Sequence, residues 1–536
     1  AAMVAKQRKI VNPKNGRDNV TEATNSHLEW RWGPEKVYHW TVTFGAFSYV
    51  MWRFATNEEN AFLMNQMKYA FSKSPYGLKQ KQDTSNWGWQ TTKYVMVNTW
   101  KWYLLHPLLG RAMAHVAPSL VPVFYAAYSS LFVALNFGWE VALLFLGQHA
   151  VFYAVAALRV PALCYLAAAV IHCQKFVNPF DTAFYMYERY GLMAYRVAFV
   201  AFHWNIMRGL SFSLDFVRAQ RQGPRKNWCR WAPYWKTLSY MVYVPTIYLG
   251  PPQNYDDYVV QLDKPRPSCT LREIAAAMAR ILRSGGHFFL MEIMAHFFYS
   301  SAMARWPWMA ERLDLYSLVG FAFSLLFCFF VRYRFTYGFA GAVARAEGIQ
   351  IPPPSMCIAT MYRCSYFWRY FDRGMHLWIR RYFYEPVVGQ SRNACRLLLG
   401  TAVAFSFTWV WHSMHKRDAI WCALSVLGIA FEVIVHELRK RDGCRNFESH
   451  YLTSAKRMRV AKALLCSPHF VLTMCACMFH LAEPELCLIM CRRILTGFPF
   501  PLVLVFAGMY SGLSVILDLE EWKEEASLKR KQKASS

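Results

Sequence analysis

Residues 397–412 read LLLGTAVAFSFTWVWH, an uncharged run from Leu397 to Trp411 that ends directly in His412. The hydrocarbon core of a bilayer, roughly 30 Å thick, asks for about 20 mostly apolar residues per helical span, and runs of this kind recur along nearly the whole chain. They fall near 37–54, 95–113, 117–136, 139–158, 160–176, 190–212, 273–302, 314–333, 360–384, 397–414, 418–437, 461–482 and 487–517. The pattern predicts an all-α, polytopic transmembrane protein with about 10–12 membrane segments, some of the runs being re-entrant or interfacial. Tyr234 to Pro252 is apolar but carries Pro245, Gly250, Pro251 and Pro252, which break helical hydrogen bonding and predict a re-entrant segment buried in protein. Pro352-Pro353-Pro354 marks a second such break.

Composition supports the same solvent. Of 536 residues 55% are hydrophobic and 17% aromatic, too oily and ring-rich for an ordinary soluble globule. Lys and Arg number 60 against 33 Asp and Glu, and the cations cluster between apolar stretches as positive-inside loops do. No basic face or nucleic-acid-binding module accompanies the charge, so nucleic acid is not an expected partner. The cysteines lie mostly inside apolar runs, where small thiols pack, so neither a disulfide framework nor a zinc site is expected; the close pairs Cys475, Cys477 and Cys487, Cys491 lack zinc-finger spacing. Without a fixed repeat or inverted halves, the chain divides into a polar N-terminal segment (1–36), one transmembrane domain (37–517) and a charged C-terminal tail (518–536). The first run would act as a retained signal anchor, which makes the Asn19-Val20-Thr21 glycosylation sequon an unused cytosolic match.

Two places carry ionisable groups where water is scarce. His412 sits at the end of its apolar run, and an intramembrane histidine both marks a site and can accept a proton from a nucleophile; the alternative is a neutral ring satisfied by backbone or headgroup. Upstream, Phe367-Trp368-Arg369-Tyr370-Phe371-Asp372 places one cation and one carboxylate in an aromatic tract. Asp372 could orient a histidine or hold an incoming ammonium, or simply pair with Arg369 three residues away.

With these residues in view the chain resembles the membrane-bound O-acyltransferase family, and within it the Hedgehog acyltransferase branch. The resemblance rests on His412 after Trp411, on Asp372 in its Trp-Arg-Tyr-Phe-Asp tract, and on the spacing between them. It extends to Pro352 through Cys357, Arg380-Arg381-Tyr382-Phe383-Tyr384, Glu292 through His296, Leu249-Gly250-Pro251 and Arg208 through Ser213, covering roughly Gly77 onward. It implies transfer of a long-chain acyl group, palmitoyl first, from acyl-CoA to the N-terminal cysteine of a secreted signalling protein such as Hedgehog. The compartment it implies is the endoplasmic reticulum membrane, with the Golgi second. His412 and Asp372 are then the catalytic pair, Trp368 and Arg369 line the acyl-CoA path, and Cys357 is the thiolate ligand of a haem iron. Palmitoyl-CoA is the implied co-substrate, and the lipid bilayer and the acceptor protein are the implied partners. The family commonly has glycine after the Trp-His pair where this chain has Ser413. A catalytically silent relative of the branch, or a glycerol-uptake type of membrane protein, is the competing expectation.

Overall fold

A computed structural model describes residues 32–177, 182–222, 231–264, 270–498 and 500–535. The sequon at Asn19 lies outside them, as does Pro499. The chain is helical throughout, apart from a minimal antiparallel pair, Phe71–Ser72 with Gln82–Asp83, which the composition did not reveal. Among the described residues seven helices are long and apolar enough to cross a membrane: Pro118–Phe137, Trp139–Ala157, Leu315–Ala346, Ala394–Trp411, Lys416–Leu438, Ala455–Leu481 and Pro501–Gln532. The runs at 37–54, 95–113, 190–212 and 273–302 also form helices, Pro34–Ala55, Trp87–Val116, Thr182–Gln222 and Leu271–Phe297, but these carry more polar residues. Helix starts follow local chemistry. Asn393 caps Ala394–Trp411 by accepting from the Arg396 amide at 2.9 Å, and Thr270 with Glu273 closes a capping box on Leu271–Phe297.

Buried side chains form two large clusters. One gathers the helices between Trp87 and Gln222 around the 234–262 segment; the other gathers Pro34–Ala55 with the helices after Lys416. Leu315–Ala346 supplies both, Phe321 and Leu325 to the second and Val331, Phe335 and Phe339 to the first. It divides the molecule, and its own ionisable residues are thereby brought between the halves.

The 234–252 run forms two short helices, Tyr234–Val242 and Val244–Ile247, followed by a turn through Gly250-Pro251-Pro252, with nearly every side chain from Thr237 to Asn254 buried. Such backbone survives at membrane depth only inside protein. Buried Arg208 helps satisfy it by donating to the carbonyls of Met241, at 3.1 Å, and Thr246. Outward-facing residues such as Leu399, Leu427, Phe431, Leu464 and Leu504 are exposed on their helices, a surface suited to lipid. The final helix, Pro501–Ser535, runs without a break past residue 518, where a tail was expected, and Asp518 is buried against Arg459 and Trp40.

Candidate functional site

His412 caps the C-terminus of Ala394–Trp411, its amide bonded to the Thr408 carbonyl at 3.1 Å. Ser413 (φ 67°) and Met414 (φ 57°) then turn the chain through the left-handed region, and Lys416–Leu438 returns alongside. Two consecutive non-glycine residues there store strain of order 1–3 kcal/mol each, of the kind found at functional sites. Ser413 thus occupies a conformation that glycine, the residue the resemblance leads one to expect there, adopts freely.

The returning helix places Asp418 and Trp421 beside His412, and Ala455–Leu481 adds His480. The rings of His412 and His480 lie 5.0 Å apart edge to face, His412 and Trp421 5.5 Å, and Trp421 stacks on His480 at 4.1 Å. His480 Nδ1 is 2.9 Å from Asp418 Oδ1. Trp368 joins the cluster by stacking on Trp421 at 4.8 Å and meeting Phe405 edge-on at 4.4 Å. The indole N–H groups of Trp368 and Trp421 are buried without an acceptor among the described residues, and each such group costs about 1–3 kcal/mol unless something fills the need. An acyl carbonyl is chemically such an acceptor.

Asp372 occupies a neighbouring position. It caps Arg373–Ile379 by accepting from the Met375 amide at 2.9 Å and takes the Tyr337 hydroxyl at 2.7 Å. Arg369 is exposed and forms no ion pair with Asp372 among the described residues, so the pairing three residues apart is not adopted. A Cβ on Gly374 would lie 2.5 Å from the Pro252 carbonyl; the Gly-Pro-Pro turn therefore packs directly under the Asp372 turn. From Asp372 to His412 the contacts run through rings: Phe371 stacks on Phe329 at 4.8 Å, and Phe329 meets His480 at 5.7 Å.

Cys357, the residue that resemblance gives to a haem iron, is half-buried in the loop after the triple proline. Burial pushes its thiol above the ordinary range, opposed by the Ala359 amide and the charge of Arg334. Beside it a cavity of 420 Å³ is lined by Arg280, Arg283, Arg334, Arg345 and Arg373 together with Pro354 and Met356. None of the five guanidiniums forms an ion pair with a described carboxylate. Cys357 is not among the residues that line this cavity; the cavity's guanidiniums suit an anionic group such as a carboxylate or a phosphate.

Sequence reasoning missed Asp418, His480, Trp421 and Tyr337. Asp418 and His480 did carry a signal: each is an ionisable residue at the end of an apolar run, the criterion that selected His412. Among the other residues of the resemblance, Glu292 is a buried hub. It accepts from Trp89 Nε1 at 2.6 Å, Tyr76 Oη and Gln82 Nε2 at 2.9 Å, and Lys93 Nζ at 2.5 Å. Ser211 bonds the Tyr382 hydroxyl at 2.8 Å. These hold the scaffold and do not reach His412.

Three relatives share this chain's pattern. Protein-cysteine N-palmitoyltransferase Rasp of Drosophila melanogaster is 26% identical over 377 residues, 69% of this chain and 73% of its own. Protein-cysteine N-palmitoyltransferase HHAT of Mus musculus is 27% identical over 253 residues, 47% of this chain and half of its own length. The mouse HHAT-like protein is 26% identical over 423 residues, 77% of this chain and 80% of its own. The sequence pattern of the MBOAT family matches residues 26–475, a stretch that holds His412, Asp372, Trp368, Asp418 and Trp421 and ends before His480. This chain is an acyltransferase of the membrane-bound O-acyltransferase family.

Proposed function

We propose that the protein moves a long-chain acyl group, palmitoyl first, from acyl-CoA to the N-terminal cysteine of a secreted signalling protein such as Hedgehog, at the endoplasmic reticulum membrane. The observation that carries this reading is His412 at the end of an apolar helix, against Trp421 and His480 with Trp368 stacked behind Trp421, and with the two indole donors buried without acceptors among the described residues. The activity printed in the names of the Drosophila and mouse relatives supports the choice of acceptor.

On this reading the acyl chain lies among apolar helices along Trp368, Arg369 meets the polar end of the donor, and the CoA phosphates are drawn toward the basic residues. The acceptor amine attacks the thioester carbonyl, the new C–N bond forms, and the C–S bond breaks. His412 takes the proton from the attacking nitrogen and returns it to the departing thiolate, leaving an amide and free CoA. Asp372, fixed by Tyr337 and the Met375 amide, positions the ammonium or the acceptor's thiol. On the resemblance Cys357 would hold haem. Bound there it would supply a thiolate-ligated iron, and none of these transfer steps uses it.

The test is the purified full chain given labelled palmitoyl-CoA and a peptide with N-terminal Cys. Amide-linked label is expected, and His412→Ala should lower kcat by about 10² to 10⁴-fold with an unchanged melting temperature. Peptide binding without transfer would refute the transfer reading and leave a silent binding protein.

A further inference from the structure

We infer that Asp418, together with His480, is the carboxylate that serves His412, so that the base works as a cluster of two imidazoles and one carboxylate drawn from three helices. The inference rests on the assignment of His412 as the base.

Geometry makes the case. One side-chain donor atom from each of His412, Asp418 and His480 lies within 4.8 Å of the others. The Asp372 carboxylate, by contrast, spends one oxygen on the Met375 amide and the other on the Tyr337 hydroxyl, and rings of Phe371 and Phe329 stand between it and His480. The carboxylate beside the proposed base is therefore Asp418.

Energetics point the same way. The Asp418 side chain is 2% exposed in the first turn of an apolar helix, where a carboxylate needs compensation. Arg417 approaches it only at 3.7 Å and is shared with Glu483 at 3.3 Å, and its Nε makes no hydrogen bond. His480 presents Nδ1 to Asp418 and, with that carboxylate ionised, donates its N–H there, which fixes the ring's orientation and leaves Nε2 on the far side. That arrangement retains capacity to stabilise positive charge where His412 gains a proton. Asp418 stays ionised and takes no proton itself; it holds His480 and faces the developing imidazolium. Other titratable groups on the packed elements include His415 in the turn after His412, Lys416, Arg417 and Cys422 on the same helix as Asp418, and Glu483 after His480. Across Trp411 lie His172 and His203. None of these supplies a second carboxylate at comparable range among the described residues. Asp418 and His480 are positioning residues on this account.

The experiment compares Asp418→Asn, His480→Asn, His480→Ala and His412→Ala in the full chain, reading kcat, KM for palmitoyl-CoA and the pH profile. Asp418→Asn should lower kcat by about 10 to 10³-fold with KM within about 2-fold. The acidic limb of its profile should move down by about one pH unit, because the opposite charge that favours protonated His412 is gone. His480→Asn, whose amide can still donate to Asp418, should keep more activity than His480→Ala. If Asp418→Asn fails to fold, this histidine pair decides alone: equal activities in the two overturn the inference. Wild-type kcat with an unmoved limb in Asp418→Asn, while His412→Ala is dead, also overturns it. Activity in His412→Ala instead overturns the assignment of the base. Stoichiometric zinc bound by the wild type and lost from His480→Ala would overturn the inference too, since a metal would occupy the lone pairs that the base requires.

Discussion

Replacing Glu292 by Gln removes one charge from a hub that takes four donors at 2.5 to 2.9 Å with its side chain 1% exposed. The amide keeps one acceptor oxygen; placed where Oε2 takes Tyr76, Gln82 and Lys93 it loses the charge that pairs Lys93, and its NH₂ then faces the Trp89 N–H donor. Breaking one partner of a buried ion pair costs about 3–5 kcal/mol. Lys93 is 24% exposed and can regain some water, which brings the expected loss to the lower end, about 3 kcal/mol. Denaturant unfolding in mixed micelles measures it, with Lys93→Met and the double variant completing the cycle. The double variant should lose less than the sum of the singles by about 1 kcal/mol or more, because no unpaired ammonium remains. A loss below about 0.5 kcal/mol in Glu292→Gln, the size of an ordinary surface substitution, would refute the view that this carboxylate clamps the 71–93 segment to Leu271–Phe297.

Two glycine positions should respond with opposite signs. A Cβ on Gly320 would sit 2.1 Å from the Val50 carbonyl oxygen, so Gly320→Ala must force Leu315–Ala346 away from Pro34–Ala55 and should cost about 1–3 kcal/mol; at Gly45, where nothing lies within 4 Å, the same change should stabilise by up to about 1 kcal/mol. Melting temperatures in detergent separate them. Ser413→Gly should relieve about 1–2 kcal/mol of left-handed strain while losing about 0.5–1 kcal/mol to chain entropy, a small net gain that a melting scan reads as a modest upward shift.

The apolar runs made most of the long helices legible, because span length is set by the bilayer and not by the neighbours; the run at 360–384 instead forms the short helices Cys364–Tyr370 and Arg373–Ile379, and 487–517 is divided between Pro484–Thr496 and Pro501–Ser535. The Gly250-Pro251-Pro252 break was legible for a similar reason, since missing amide donors act locally. His412 stood out as an imidazole terminating a hydrocarbon run. Asp418 and His480 meet the same criterion at the ends of their own runs, but that they belong with His412 shows only where three helices meet. Tyr337 lies one turn beyond its expected span at 314–333, and only tertiary packing aims its hydroxyl at Asp372. The pairing of Phe71–Ser72 with Gln82–Asp83 is too short for any periodicity, and the burial of Asp518 depends on Arg459 and Trp40, which are distant in sequence.

The clasp around Asp518 bears on how the molecule is assembled. Trp40 donates to it at 2.9 Å, Arg459 bonds it, Lys36 lies 3.7 Å away, and His39 meets Ser511 at 3.2 Å. During synthesis the helix bearing Trp40 and Lys36 emerges hundreds of residues before the one that completes its polar contacts. It must therefore wait as an unfinished surface. Pro501–Ser535 acts as a keystone, and a ribosome that stalls before it leaves Pro34–Ala55 without its permanent neighbour on that side.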